Sequence, residues 1–124
     1  CTKVLRDRTN CTWRVDWHPQ KQKLAIGGVD GSFHIWDVET NGCLKIKHET
    51  LGVVHALAWC PDGIHLAITT TSDYALRIWN VITQECIHVL KGSLSLVNCL
   101  AWSPDGRFLA AGGYDCIVWV WDAQ

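Results

Sequence analysis

The sequence predicts an all-β fold in which one four-stranded antiparallel unit is repeated three times. Three observations predict it. Trp17-His18-Pro19, Trp59-Cys60-Pro61 and Trp102-Ser103-Pro104 recur at intervals of 42 and 43 residues. Ile35-Trp36-Asp37, Ile78-Trp79-Asn80 and Val120-Trp121-Asp122 recur at 43 and 42, and a fixed period of this size marks a repeat architecture. Between these marks lie short β-branched and aromatic runs broken by turn residues, and no window shows a helical period.

The whole chain, 1–124, reads as one segment with units at about 1–38, 39–81 and 82–124. The first unit gives strands at 2–7, 12–17, 23–28 and 32–38. The second gives 43–49, 53–59, 65–70 and 75–81, and the third 86–91, 96–102, 108–113 and 117–123. Phe33-His34-Ile35-Trp36 and Leu76-Arg77-Ile78-Trp79 suit a pleated, half-buried surface. Pro61-Asp62-Gly63 and Pro104-Asp105-Gly106 are turns, with proline fixing φ near about −65° and glycine free to take a positive φ. The first unit has His18-Pro19-Gln20-Lys21-Gln22 instead, and its turn is expected to be looser. Leu24-Ala25-Ile26, Leu66-Ala67-Ile68 and Leu109-Ala110-Ala111 keep the rhythm. So do Asp30, Asp73 and Asp115, each six residues before its Trp and expected to accept N–H groups of its own turn.

Composition narrows the function. Hydrophobic residues make up 48% and charged residues 19%, as in a globular chain. A net charge of −1, with Lys and Arg scattered, leaves no electrostatic footprint for nucleic acid or an anionic membrane. No apolar run approaches the ~18 residues that span a bilayer. The 7 Cys form no C-x-x-C pair, which predicts reduced thiols and a cytoplasmic location, with the nucleus as the alternative. The absence of Met points to a longer parent chain.

The Trp-Asp marks and the Trp-x-Pro-Asp-Gly turns resemble the WD-repeat family from end to end. The resemblance implies three four-stranded antiparallel β-propeller blades packed face to face around an axis. Propellers have ~4–8 blades, so three imply an incomplete or oligomer-completed propeller, with further blades from a longer parent chain or a homo-oligomer. Its two end faces would carry packing residues such as Trp17, Trp36, Trp102 and Trp121; Trp36, Trp79 and Trp121 are structural. The sequence also departs from the family. The Gly-His histidine falls at Arg8, Thr50 and Ser93, and the Ser or Thr that bonds the Trp falls at Ile26, Ile68 and Ala111. Asn80 replaces one terminal Asp. Such blades must lean on apolar packing.

Most residues that invite a chemical reading are explained by the repeat. Cys1, Cys43 and Cys86 occupy one equivalent place, so in separate blades they stay beyond the ~7 Å that a disulfide needs. His18 and Cys60 are likewise equivalent to Ser103 and cannot converge on one metal ion. No metal, no cofactor and no catalytic residue is expected. Gly27-Gly28 and Gly112-Gly113 are not a phosphate loop and read as close backbone approach. Trp13, aligned with His55 and Asn98, and Trp119, aligned with His34 and Arg77, do not follow the repeat, and Tyr114 stands where its sisters have Val29 and Ser72. The family resemblance implies a partner-binding rim at Cys11, Trp13, Val29, Val53, His55, Ser72, Leu96, Asn98 and Tyr114. That rim is mixed and nearly uncharged, which favours proteins or peptides over nucleic acid or membrane as partners. The function predicted is a protein-interaction scaffold. The alternatives are purely structural blades completing a larger propeller, or a propeller enzyme.

Overall fold

A computed structural model of the chain describes residues 12–28, 32–46, 52–71, 75–90, 97–114 and 116–123, with Thr12, Trp13 and Lys45 described by their backbone alone. Eleven strands and no helix occupy the described residues. The first sheet runs β1 (Thr12–Trp17), β2 (Lys23–Gly28), β3 (Phe33–Asp37) and β4 (Cys43–Ile46). The second runs β5 (Val54–Trp59), β6 (His65–Thr70), β7 (Leu76–Asn80) and β8 (Glu85–Leu90). In the third, β10 (Phe108–Gly113) lies between β9 (Val97–Trp102) and β11 (Val118–Asp122). All pairs are antiparallel, and the three sheets do not close into a ring. The expected strand at 2–7 lies outside the described residues.

The sheets cut across the sequence units. β4 belongs by sequence to the second unit but pairs with β3, Trp36 opposite Cys43 and Phe33 opposite Ile46. β8 likewise pairs with β7, Leu76 opposite Leu90. The cause is local. Asp37 Oδ1 accepts the N–H groups of Glu39 and Thr40 at 3.0 and 3.2 Å, and Asn41 takes φ 62°. The resulting tight reversal lays the next run beside β3. Asn80 Oδ1 accepts from Ile82 and Thr83 at 2.9 and 3.0 Å, and Gln84 takes φ 60°. An amide oxygen thus does what the carboxylate does, and the Asn80 departure costs the turn no acceptor.

The sheets stack face to face, β1 against β5 and β5 against β9. Phe33, Ile35, Val54, Leu57, Leu66 and Ile68 fill the first interface together with Trp59 and Trp79. Phe33 and Trp79 meet edge to face at 5.5 Å. Leu76, Ile78, Val97, Leu109 and Ala111 fill the second, with Trp102 and Trp121 packed against them. Fully burying each Leu, Ile or Phe contributes roughly 1.5–3 kcal/mol. This is the apolar packing on which the blades depend. The polar link is indeed missing, since Ile26 is buried and Trp36 Nε1 is buried without a partner. Gly27 marks a close approach of the first two sheets; a Cβ there would stand 2.4 Å from Val54 Cγ1.

The end faces differ from the expectation. Trp17 is 55% exposed on the open face of the first sheet, beside Val15. Trp102 and Trp121, however, turn inward to the second sheet. Side chains alternate along a strand, so Val118 and Val120, with Phe108, occupy the open face of the third sheet. The stacking is directional: Trp59 and Trp102 each face the preceding sheet, and Trp17, at the same place in the repeat, faces outward.

Candidate functional site

The rim candidates share a backbone feature that the repeat alone does not disclose. In β1, Thr12 pairs with Gly28 and Arg14 with Gly27, so Trp13 is skipped. In β5, Val54 pairs with Thr70 and Ala56 with Thr69, so His55 is skipped. In β9, Val97 pairs with Gly113 and Cys99 with Gly112, so Asn98 is skipped. Each innermost strand carries a β-bulge at one equivalent place. A bulge leaves its extra residue out of the ladder and re-aims it.

Contacts across the sheets join these places. Arg14 Nε donates to His55 O at 2.8 Å. His55 Nε2–H donates to Asn98 Oδ1 at 3.3 Å. The rings of His55 and Tyr114 lie 6.5 Å apart, and Tyr114 is 65% exposed. His55, Asn98 and Tyr114 are therefore brought together. Val53 sits half-buried two residues away, tied to Thr71 through bonds of 3.1 and 3.0 Å. Cys11, Val29, Ser72 and Leu96, and the structural candidates Asp30, Asp73 and Asp115, lie outside the described residues. Arg14, which was not among the candidates, joins them through its bond to His55 and adds a cation to a surface expected to be nearly uncharged. Trp119 belongs elsewhere: it is half-buried and stacks on Trp121 at 6.3 Å.

Below the rim, hydrogen bonds lock neighbouring sheets. Asp16 Oδ2 accepts the Trp59 N–H at 2.8 Å, and Trp102 Nε1 donates to Ala58 O at 2.9 Å. Toward the hairpins, His18 packs edge-on against Trp59 at 4.8 Å. Its Nδ1 accepts the N–H groups of Gln20 and Lys21, both at 3.1 Å, and its Nε2–H donates to Gly63 O at 2.9 Å. One neutral tautomer satisfies all three. The first-unit turn thus has an internal acceptor in place of its missing Asp.

The β5–β6 hairpin holds a second group of chemical side chains. Asp62 Oδ1 accepts the N–H groups of Ile64 and His65 at 2.8 and 3.1 Å, and Oδ2 accepts from His65 Nδ1 at 2.5 Å. Burial acts to raise the Asp62 carboxyl, but these bonds together outweigh it and hold the group below its ordinary value. Cys60 is only 3% exposed, and burial pushes its thiol up to about 11. Equivalence to His18 and Ser103 in the other units hides the neighbours that Cys60 has within its own turn. The spacing Cys60-x-Asp62-x-x-His65 was the available signal.

The family model described as WD domain, G-beta repeat matches residues 1–37, 41–80 and 84–122. WD repeat and HMG-box DNA-binding protein 1 of Xenopus laevis is 43% identical over 56 residues, 44% of this chain and 5% of its own length. The Homo sapiens protein of the same name is 42% identical over 48 residues, 38% of this chain and 4% of its own. A ribosome biogenesis protein BOP1 homolog of Oryza sativa subsp. japonica is 36% identical over 55 residues, 44% of this chain and 8% of its own. The chain therefore spans less than a tenth of these relatives. With three matched repeats folded as three stacked antiparallel sheets, the chain belongs to the WD domain, G-beta repeat family.

Proposed function

We propose that this chain is a non-catalytic protein-interaction scaffold whose partner surface is the rim where the three innermost strands begin. Repeats of this family generally mediate protein–protein interaction. The observation that carries the reading is the bulge repeated at Trp13, His55 and Asn98. Residues freed from the ladder, on a frame locked beneath them, are suited to recognition. Tyr114 supplies an exposed ring with a polar tip, a common interface anchor. Arg14, His55 and Asn98 supply hydrogen bonds, which favours proteins or peptides as partners. The open end faces, with Trp17 on one and Val118 and Val120 on the other, suit further blades from a longer parent chain or a second copy. A relative named for DNA binding favours the nucleus over the cytoplasm, and a fluorescent fusion found only in the cytoplasm would reverse that choice.

The test is binding by rim variants. A partner captured by proximity labelling is first shown to bind the full wild-type chain directly. Tyr114→Ala and Asn98→Ala should each then weaken that binding by more than ~1 kcal/mol while the melting curve stays unchanged. Unchanged affinity in Trp13→Ala, His55→Ala, Asn98→Ala and Tyr114→Ala alike would leave the purely structural alternative.

A further inference from the structure

Away from the rim, Cys60, Asp62 and His65 each bring one donor atom to the β5–β6 hairpin, all within 4.8 Å of one another. Three atoms no farther apart than that leave a point within about 2.8 Å of them all. Zinc bonds run ~2.3 Å to sulfur and ~2.0–2.2 Å to nitrogen or oxygen, so shifts of less than about 1 Å bring the three to bonding distance.

We propose that Cys60, Asp62 and His65 form a binding site for a borderline-soft divalent cation of the zinc class. The donor set decides the class. Thiolate and imidazole select zinc or cobalt over magnesium and calcium, which prefer oxygen shells. The three side chains line a groove of about 210 Å³ between the second and third sheets, and His88 and Asp105 line the same groove. A water in the groove can complete a tetrahedral set. There is room for the sulfur because residue 106 is glycine: a Cβ there would stand 3.1 Å from Cys60 Sγ.

The turn alone does not account for this trio. In the third unit Asp105 Oδ1 accepts the Arg107 N–H as Asp62 Oδ1 accepts that of Ile64, while Ser103, at the place of Cys60, accepts the N–H of Phe108, which stands at the place of His65. The first unit has His18, Gln20 and Lys23 at the three places. Sulfur at the first place together with imidazole at the third occurs in the second unit alone. Binding must displace the thiol proton, so affinity rises with pH.

The sister unit supplies the variants for the test. Cys60→Ser and His65→Phe each install the residue that the third unit carries in the same hairpin. The reduced full chain is titrated with Co²⁺, and Zn²⁺ is then added as competitor. The expected result is one equivalent of tetrahedral Co²⁺ with a thiolate-to-metal charge-transfer band, displaced by Zn²⁺ and unaffected by Mg²⁺. Cys60→Ser should abolish the band, and His65→Phe should weaken binding at least about tenfold, since loss of even an outer partner costs that much. Cys99→Ser and Cys116→Ser should change neither. Circular dichroism checks that each variant is folded; if Cys60→Ser is not, His65→Phe decides. No band in the wild type, or wild-type binding in every folded one of these two variants, overturns the proposal.

Discussion

Gly27→Ala is expected to destabilise the chain by about 1–2 kcal/mol through the contact between the first and second sheets. A Cβ at residue 27 would stand 2.4 Å from Val54 Cγ1, 2.8 Å from Val54 Cβ and 3.0 Å from Leu57 Cδ2. Val54 is wholly buried. Rotation about its χ1 cannot relieve a contact that includes its own Cβ, so the sheets must part. Overpacking of this kind costs ~1–3 kcal/mol. An opposing gain exists: Gly27 is not among the positive-φ glycines, and alanine at a permitted backbone position stabilises by ~0.4–1 kcal/mol through the unfolded chain. The clash wins because the atoms met include Val54 Cβ, which no side-chain rotation moves away. Urea denaturation of the full chain reads the effect as a lower midpoint at constant slope. In a Val54→Ala background, Cγ1 is gone and the penalty should fall by roughly half, a coupling of ~0.5–1 kcal/mol. Gly112→Ala, whose Cβ would meet only Cys99 Sγ at 3.2 Å among the described residues, should stay within ~0.5 kcal/mol of wild type. A Gly27→Ala chain as stable as wild type, or an equal penalty in both backgrounds, would refute the reasoning.

Other predictions follow from single bonds and groups. Asp16→Ala should cost ~1–3 kcal/mol, because it strips the Trp59 N–H of its acceptor in a partly buried place; Asp16→Asn keeps an oxygen and should cost less in the same denaturation assay. The Asp105 carboxyl is held below the ordinary 3.8, first by the Ser103 hydroxyl and then by the Arg107 N–H. A lowered folded value contributes stability that is present above about pH 4 and lost as the pH falls through the folded value. The stability gap between wild type and Asp105→Asn should therefore close in acid, and a gap that widens below pH ~4 would contradict it. In metal-free protein near neutral pH, Cys60 should alkylate more slowly than the exposed Cys99 and Cys116, because it is buried and its thiol is raised to about 11. Peptide mapping of a timed iodoacetamide reaction measures the order, and Cys60 labelled first would overturn it.

The strands were legible because each is flanked by residues with one local job. Trp59-Cys60-Pro61-Asp62-Gly63 ends one strand and turns the chain within five residues, and Ile78-Trp79-Asn80 closes another. The open end faces were legible only in part. Trp17 is where the repeat puts it, but which way Trp102 and Trp121 point depends on the direction of stacking, which three equivalent tryptophans do not reveal. The bulges at Trp13, His55 and Asn98 were not legible, because a skipped residue is a property of two strands in register. Nothing in Thr12-Trp13-Arg14 alone tells that Gly27 and Gly28 will pair on either side of Trp13. The same holds for His18. An imidazole can replace a carboxylate as turn acceptor, but only the folded hairpin shows that Nδ1 reaches Gln20 and Lys21.

The direction of stacking has a consequence for assembly symmetry. One end of the stack presents Trp17 and Val15, the other Val118, Val120 and Phe108, so the two ends are chemically unlike. An isologous pairing would set like on like, Trp17 against Trp17, and lose the complementarity that holds Trp59 and Trp102 in place. A heterologous pairing, front to back, repeats the internal interface instead. Such an operation closes when the rotation between sheets divides evenly into a circle, and otherwise runs on as an open helix. A two-fold axis is therefore compatible with these faces when it passes through the centre of a ring, and incompatible when it passes through the contact itself.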